Sequence, residues 1–69
     1  MATTTTPMAG PGQALRAMRT SYRLPLTEVA ERAETSVSYL SEVENGKRIP
    51  TKAYLARVTE AIALLIRAA

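Results

Sequence analysis

The side chains best suited to binding a ligand lie between residues 36 and 48, on one side of a predicted short helix and in the basic loop after it. Valine there can contact a thymine methyl group, serine can donate to or accept from several bases, and glutamate can accept from the cytosine amino group. Lysine and arginine can bind phosphate oxygens. Each position taken alone is equally well explained as a solvated surface residue. The exposed helix positions are Val37, Ser38, Ser41 and Glu42.

Composition narrows the available chemistry. The 69 residues include no cysteine and no histidine, which excludes disulfides, thiolate and imidazole nucleophiles, and the common zinc sites. A chain of this length forms one small domain without room for an enclosed active site. Nine Lys and Arg residues against six Asp and Glu residues give a net charge of +3, which favours an anionic partner, although many small proteins carry as much. We expect a binding protein rather than an enzyme, with no cofactor, metal or small-molecule substrate.

The sequence shows no segment that would take it into a membrane. Its longest apolar run, residues 61–66, is far shorter than the roughly 20 residues that span a bilayer. The N-terminus lacks a basic stretch followed by an apolar one, which is the pattern of an export signal. We expect a cytoplasmic, nucleoid-associated protein.

Apolar residues recur at three- and four-residue steps in four segments, a spacing typical of amphipathic helices. No segment alternates with the two-residue period of a strand, so the predicted fold class is all-α, a compact four-helix domain over residues 12–69. An uncharged stretch rich in threonine and proline, residues 1–11, is predicted to be a flexible arm. The second and third helices form a pair over about residues 25–45, and a long C-terminal helix covers about 51–68.

The second and third helices are short and only a few residues separate them, which matches the helix-turn-helix geometry. The detailed sequence resembles the lambda-repressor and Cro-like helix-turn-helix family, often called the XRE family. The resemblance is carried by LRAMR at 15–19 and LPLTEVAERAETSVSYLSEVENGKRIP at 24–50, and it covers about residues 12–63. It implies a DNA-binding domain whose third helix enters the major groove.

The resemblance also implies roles for individual side chains. The residues implied to read bases are Val37, Ser38, Ser41 and Glu42, and no arginine lies among them to bind guanine. The residues expected at the DNA backbone are Ser36, Asn45, Lys47, Arg48, Lys52 and Arg23. Arg19 and Glu44 are implied to form a buried ion pair between the first helix and the end of the third. We expect that pair to be structural, since losing one partner leaves an uncompensated charge.

The sequence departs from the family pattern at three places. Glu34 occupies a turn position that is usually glycine, where a left-handed conformation costs about 1–2 kcal/mol. Leu26 stands where many members have a glutamine that touches a phosphate. Where the family has a fifth helix after a glycine-containing turn, this sequence reads AIALLIRAA.

The fourth helix carries more apolar side chains than a three-helix core can cover, and two interpretations stay open. These residues either bind a second copy of the chain or complete the core of a single chain. Two-fold pairing would place two recognition helices about 34 Å apart, which is one turn of DNA. The candidate dimer-interface residues are Leu55, Val58, Ile62, Leu65 and Ile66.

Together these features predict a phage or bacterial transcriptional regulator that binds double-stranded DNA sequence-specifically. We expect a homodimer on an inverted-repeat operator, acting as a repressor that occludes a promoter. The alternative is an antitoxin-like or other protein-interaction module, in which the C-terminal helix binds a partner protein and DNA contact is secondary. A stable dimer of the isolated chain favours the first interpretation. Aggregation of the chain that is relieved by co-expression of a neighbouring protein favours the second.

Overall fold

The computed structural model describes residues 10–68, and over this range it contains four α-helices and no strand. The predicted all-α, four-helix class is thereby confirmed for the described residues. The predicted flexible arm, residues 1–11, lies outside them except for Gly10 and Pro11. The helices are α1 (Pro11–Ser21), α2 (Leu26–Arg32), α3 (Val37–Glu44) and α4 (Lys52–Ala68).

Local chemistry explains where three of the helices begin. Pro11 is the first residue of α1, a position where its fixed φ suits a helix and its missing N–H leaves no bond unmade. The Ser36 hydroxyl caps α3 by accepting from the Tyr39 N–H at 3.0 Å. Thr51 acts in the same way before α4, because its hydroxyl accepts from the Tyr54 N–H at 3.0 Å.

The first three helices all end with one hydrogen-bonding pattern, in which the residue after the C-cap has a positive φ. That residue is Arg23 (φ 57°), Glu34 (φ 58°) or Gly46 (φ 78°). In each case the following N–H reaches back to a helix carbonyl: Leu24 to Arg19 at 3.0 Å, Thr35 to Ala30 at 2.9 Å, and Lys47 to Glu42 at 2.8 Å. Glu34 therefore adopts the left-handed conformation at the turn position that is usually glycine. Arg23 adopts the same unfavourable conformation, and the sequence did not predict this.

The core lies where α1 and α2 pack against both α3 and α4. Burying each large apolar side chain contributes about 1.5–3 kcal/mol, so the fully buried residues hold the helix pair in place. These are Val29, Leu40, Val43, Val58 and Ile62.

This packing corrects part of the expected dimer interface. Val58 and Ile62 are 0% exposed because α4 supplies them to the core that it shares with α1 and α2. Neither side chain can contact a second chain in this fold. Leu55, Leu65 and Ile66 pack against the same core but stay partly exposed.

The backbones of α1 and α3 come into close contact at Gly12, which is buried. A Cβ atom added there would overlap the backbone carbonyl of Val43. The position therefore requires glycine, because any larger residue would not fit. The short distance between α1 and α3 also allows their side chains to form an ion pair.

Candidate nucleic-acid interface

One face of α3 carries the side chains that were predicted to read bases. Leu40 and Val43 turn into the core, which leaves the opposite side of the helix toward solvent. Val37 is 39% exposed and Ser38 is also exposed. Ser41 and Glu42, one helical turn further on, are half-buried. The residues that share this outer face are Val37, Ser38, Ser41 and Glu42.

Arg48 lies in the loop after α3, and its side chain packs back against that helix. Its Nε donates to Glu42 Oε1 at 2.8 Å, and its guanidinium carbon is 5.7 Å from the centre of the Tyr39 ring. The hydrogen bond and the charge of Glu42 raise the pKa of Arg48 above its ordinary value. The sequence predicts separate roles for Glu42 and Arg48, but in the structure their side chains form an ion pair.

The other polar and basic candidates are distributed around α3. Lys47 is exposed in the loop between α3 and α4, and Lys52 is exposed as the first residue of α4. Asn45 is exposed, but its Nδ2 donates to the Ser41 carbonyl at 2.9 Å, which caps the end of α3. Arg23 is exposed in the separate turn between α1 and α2. Loop cations therefore stand at the C-terminal end of α3, and Ser36 stands at its N-terminal end.

Arg19 and Glu44 form a buried ion pair that joins α1 to the end of α3. Arg19 Nε and Nη2 donate to the two carboxylate oxygens of Glu44 at 2.8 and 2.9 Å, and Nη1 donates to the Leu24 carbonyl at 2.8 Å. The side chains are only 13% and 4% exposed. Hydrogen bonding to Glu44 raises the pKa of Arg19, while burial acts in the opposite direction. The pair fixes the position of α3 relative to α1.

Two tyrosines fix the other side of α3 against α4. The rings of Tyr39 and Tyr54 meet edge to face with centroids 5.1 Å apart. The buried Tyr54 hydroxyl is 3.0 Å from the Thr35 hydroxyl, which satisfies its polar group. Arg57 lies over the Tyr54 ring at 5.6 Å. A buried tyrosine signals that a partner is needed, but the sequence does not specify which residue supplies it.

Within residues 10–68 no three His, Cys, Asp or Glu side chains come together in a way that could hold a metal ion. None of the helices in that range is both long and apolar enough to cross a bilayer.

Known proteins match the part of the chain that contains these helices. A family model described as a helix-turn-helix domain matches residues 12–66. The transcriptional regulator ClgR from Mycobacterium tuberculosis, in strains CDC 1551 / Oshkosh and ATCC 25618 / H37Rv, is 38% identical over 53 residues. That alignment includes 77% of this chain and 47% of the relative. The chain therefore spans about half the length of the curated relatives it matches.

Proposed function

This chain belongs to the helix-turn-helix domain family, and from that premise we propose that it binds double-stranded DNA sequence-specifically and regulates transcription. The observation that carries the proposal is the outer face of α3, which presents exposed polar and apolar side chains beside the cations of the next loop. A helix of this size fits the major groove of B-DNA, where base edges are distinguishable. The related transcriptional regulator supports the same assignment.

The proposed contacts divide into two groups. Val37, Ser38 and Ser41 would meet base edges, together with Glu42. The backbone contacts would come from exposed groups around α3 that carry charge or hydrogen-bond donors, since phosphate contacts supply affinity and register. Those residues are Ser36, Asn45, Lys47, Lys52 and Arg23. Arg48 differs from them because its charge is paired with that of Glu42.

We further propose that the protein acts as a homodimeric repressor in the cytoplasm, bound to the nucleoid. Support for pairing comes from the end of α4, where Leu64, Leu65 and Ile66 are consecutive, apolar and only half-buried. A second chain is the simplest partner for such a surface. Two-fold pairing would match an inverted repeat, and occupancy of that repeat would block a promoter.

The test is to incubate the purified chain with a library of duplexes that have a randomised central segment, at near-physiological salt, and to sequence the retained DNA. An enriched inverted repeat is the expected result. Uniform retention that disappears with added salt would reduce the function to nonspecific phosphate binding, and no retention would refute DNA binding. Ser38→Ala should shift the enriched sequence. Thr59→Ala, which removes an exposed hydroxyl from α4, should leave it unchanged.

The same half-buried residues at the end of α4 also support a second candidate function. In that case the chain is an antitoxin-like or other protein-interaction module, and α4 binds a different protein. Aggregation of the isolated chain that is relieved by a co-expressed neighbouring protein would favour this function over the homodimeric repressor.

A further inference from the structure

We propose that Glu42 and Arg48 read one G·C base pair as a unit, with Arg48 on the guanine and Glu42 on the cytosine. This inference rests on the proposed DNA-binding function and changes the expected role of Arg48 from a phosphate contact to a base contact. It supplies the guanine-binding arginine that is missing from α3 itself.

The geometry leaves the useful edge of the Arg48 guanidinium available. Glu42 Oε1 accepts the hydrogen bond from Arg48 Nε, and the guanidinium lies over the Tyr39 ring. Among the described residues no hydrogen bond involves the two terminal nitrogens of Arg48 or the second carboxylate oxygen of Glu42. Both side chains stay accessible, at 57% and 42% exposure. A planar fork of donors and a neighbouring acceptor are thus held side by side.

This pattern complements one base pair in the major groove. Guanine presents two acceptors, N7 and O6, and the paired cytosine presents the N4 amino donor beside them. The two Arg48 terminal nitrogens match the guanine acceptors, and the free Glu42 oxygen matches the cytosine donor. An A·T pair presents its donor and acceptors in a different order, so it does not fit the same arrangement.

Charge also favours bases over phosphates as the target of Arg48. The carboxylate at 2.8 Å compensates the positive charge of the guanidinium, and a carboxylate is repelled by the DNA backbone. Base edges carry no net charge, so the paired residues can approach them without that penalty. Lys47, the neighbouring loop cation, belongs to no ion pair within residues 10–68 and suits a phosphate better.

The experiment measures base preference at every position for the parent, Arg48→Lys, Arg48→Ala and Glu42→Ala, using the randomised duplex library. In the parent we expect one G·C position with a preference of about 5- to 150-fold. Arg48→Lys keeps the charge but loses the planar fork, so it should lose most of that preference. Glu42→Ala removes both the acceptor for the cytosine amino group and the ion pair that positions Arg48, so it should weaken the preference at the same position by about 5-fold or more.

Two controls make the result decisive. Lys47→Ala should leave every base preference unchanged, and helical circular dichroism should show that each variant folds. Replacing the preferred guanine by 7-deazaguanine removes N7 and should weaken parent binding by about 5-fold or more. The same replacement should not affect Arg48→Ala.

The outcomes separate this inference from the function on which it rests. If Arg48→Lys and the parent have the same preferences while Arg48→Ala weakens all sequences alike, Arg48 is a phosphate contact and the inference is wrong. If the Arg48 and Glu42 variants alter different base pairs, the two residues do not act as a unit. A parent protein that enriches no sequence would refute the proposed function as well.

Discussion

At the scale of single residues, Lys47 is the clearest candidate for a phosphate contact, because it is exposed beside α3. Lys47→Ala is expected to weaken binding to every DNA sequence alike, since a phosphate carries no base information. The slope of log affinity against log salt should become shallower by about 0.9. Titrations of one specific and one random duplex at several salt concentrations measure both effects. Lys47→Arg should keep the parent slope, and a change in base preference would contradict the assignment.

Arg19 is a residue on which folding depends. Arg19→Met keeps most of the side-chain volume but leaves the buried Glu44 carboxylate without its partner, which should cost about 3–5 kcal/mol. Because the pKa of Arg19 is raised in the folded chain, its stabilising effect is complete below the ordinary arginine pKa. It is lost only as the pH rises through the raised value.

Urea unfolding followed by circular dichroism measures the loss. The matched control is Arg16→Met in the same helix, because Arg16 is exposed and such changes usually stay within about 0.5 kcal/mol. Equal destabilisation by the two substitutions would show that the ion pair is not the cause.

At the scale of elements, the contact between α1 and α3 depends on Gly12. Gly12→Ala forces the added methyl group against the Val43 carbonyl, so the helices must separate, at a cost of about 1–3 kcal/mol. In a domain of this size each kcal/mol lowers the Tm by about 4–8 °C. Ala17→Ser, at an exposed position of the same helix, is the control, and the Tm should change little because such substitutions usually stay within about 0.5 kcal/mol. A parent-like Tm for Gly12→Ala would show that α1 shifts without cost.

The turn between α2 and α3 stores strain at Glu34, which has a φ of 58°. Glu34→Gly should raise the free energy of unfolding by up to about 1 kcal/mol, because relief of about 1–2 kcal/mol exceeds the entropic cost of glycine. Thermal unfolding measures the gain. Glu34→Ala removes the carboxylate but keeps the strain, so it should not be stabilised. Equal stability of the two variants would locate the effect in the charge instead.

The sequence predicted the helices and the turn at Glu34 because periodic apolar residues and helix-end residues report local structure directly. It left Val58 and Ile62 ambiguous, since periodicity shows which side of a helix is apolar but not what covers that side. The Arg48 contact with Glu42 had no signal at all. It depends on the reversal at Gly46, which brings side chains from a loop and a helix together without any repeating pattern.

At the scale of the whole molecule, the question is whether the end of α4 pairs with a second chain. With Val58 and Ile62 inside the core, pairing would depend on Leu64, Leu65 and Ile66. Sedimentation equilibrium of the purified chain should give twice the chain mass of 7.5 kDa. Leu64→Glu should return the mass to that of one chain, because a charge is costly in an apolar interface. Ala53→Glu, at an exposed position in the first turn of α4 and far from Leu64, is the control. A single-chain mass for the parent would exclude a stable dimer.

The packing of Tyr39 against Arg48 and Tyr54 also gives the protein an intrinsic spectroscopic signal. The chain has three tyrosines and no tryptophan, and the remaining one, Tyr22, is exposed at the end of α1. Near-ultraviolet dichroism should therefore come mainly from the two packed rings. Any ligand that pulls the Arg48 guanidinium from the Tyr39 ring should change that signal, so engagement of the α3 face can be followed in solution without a label.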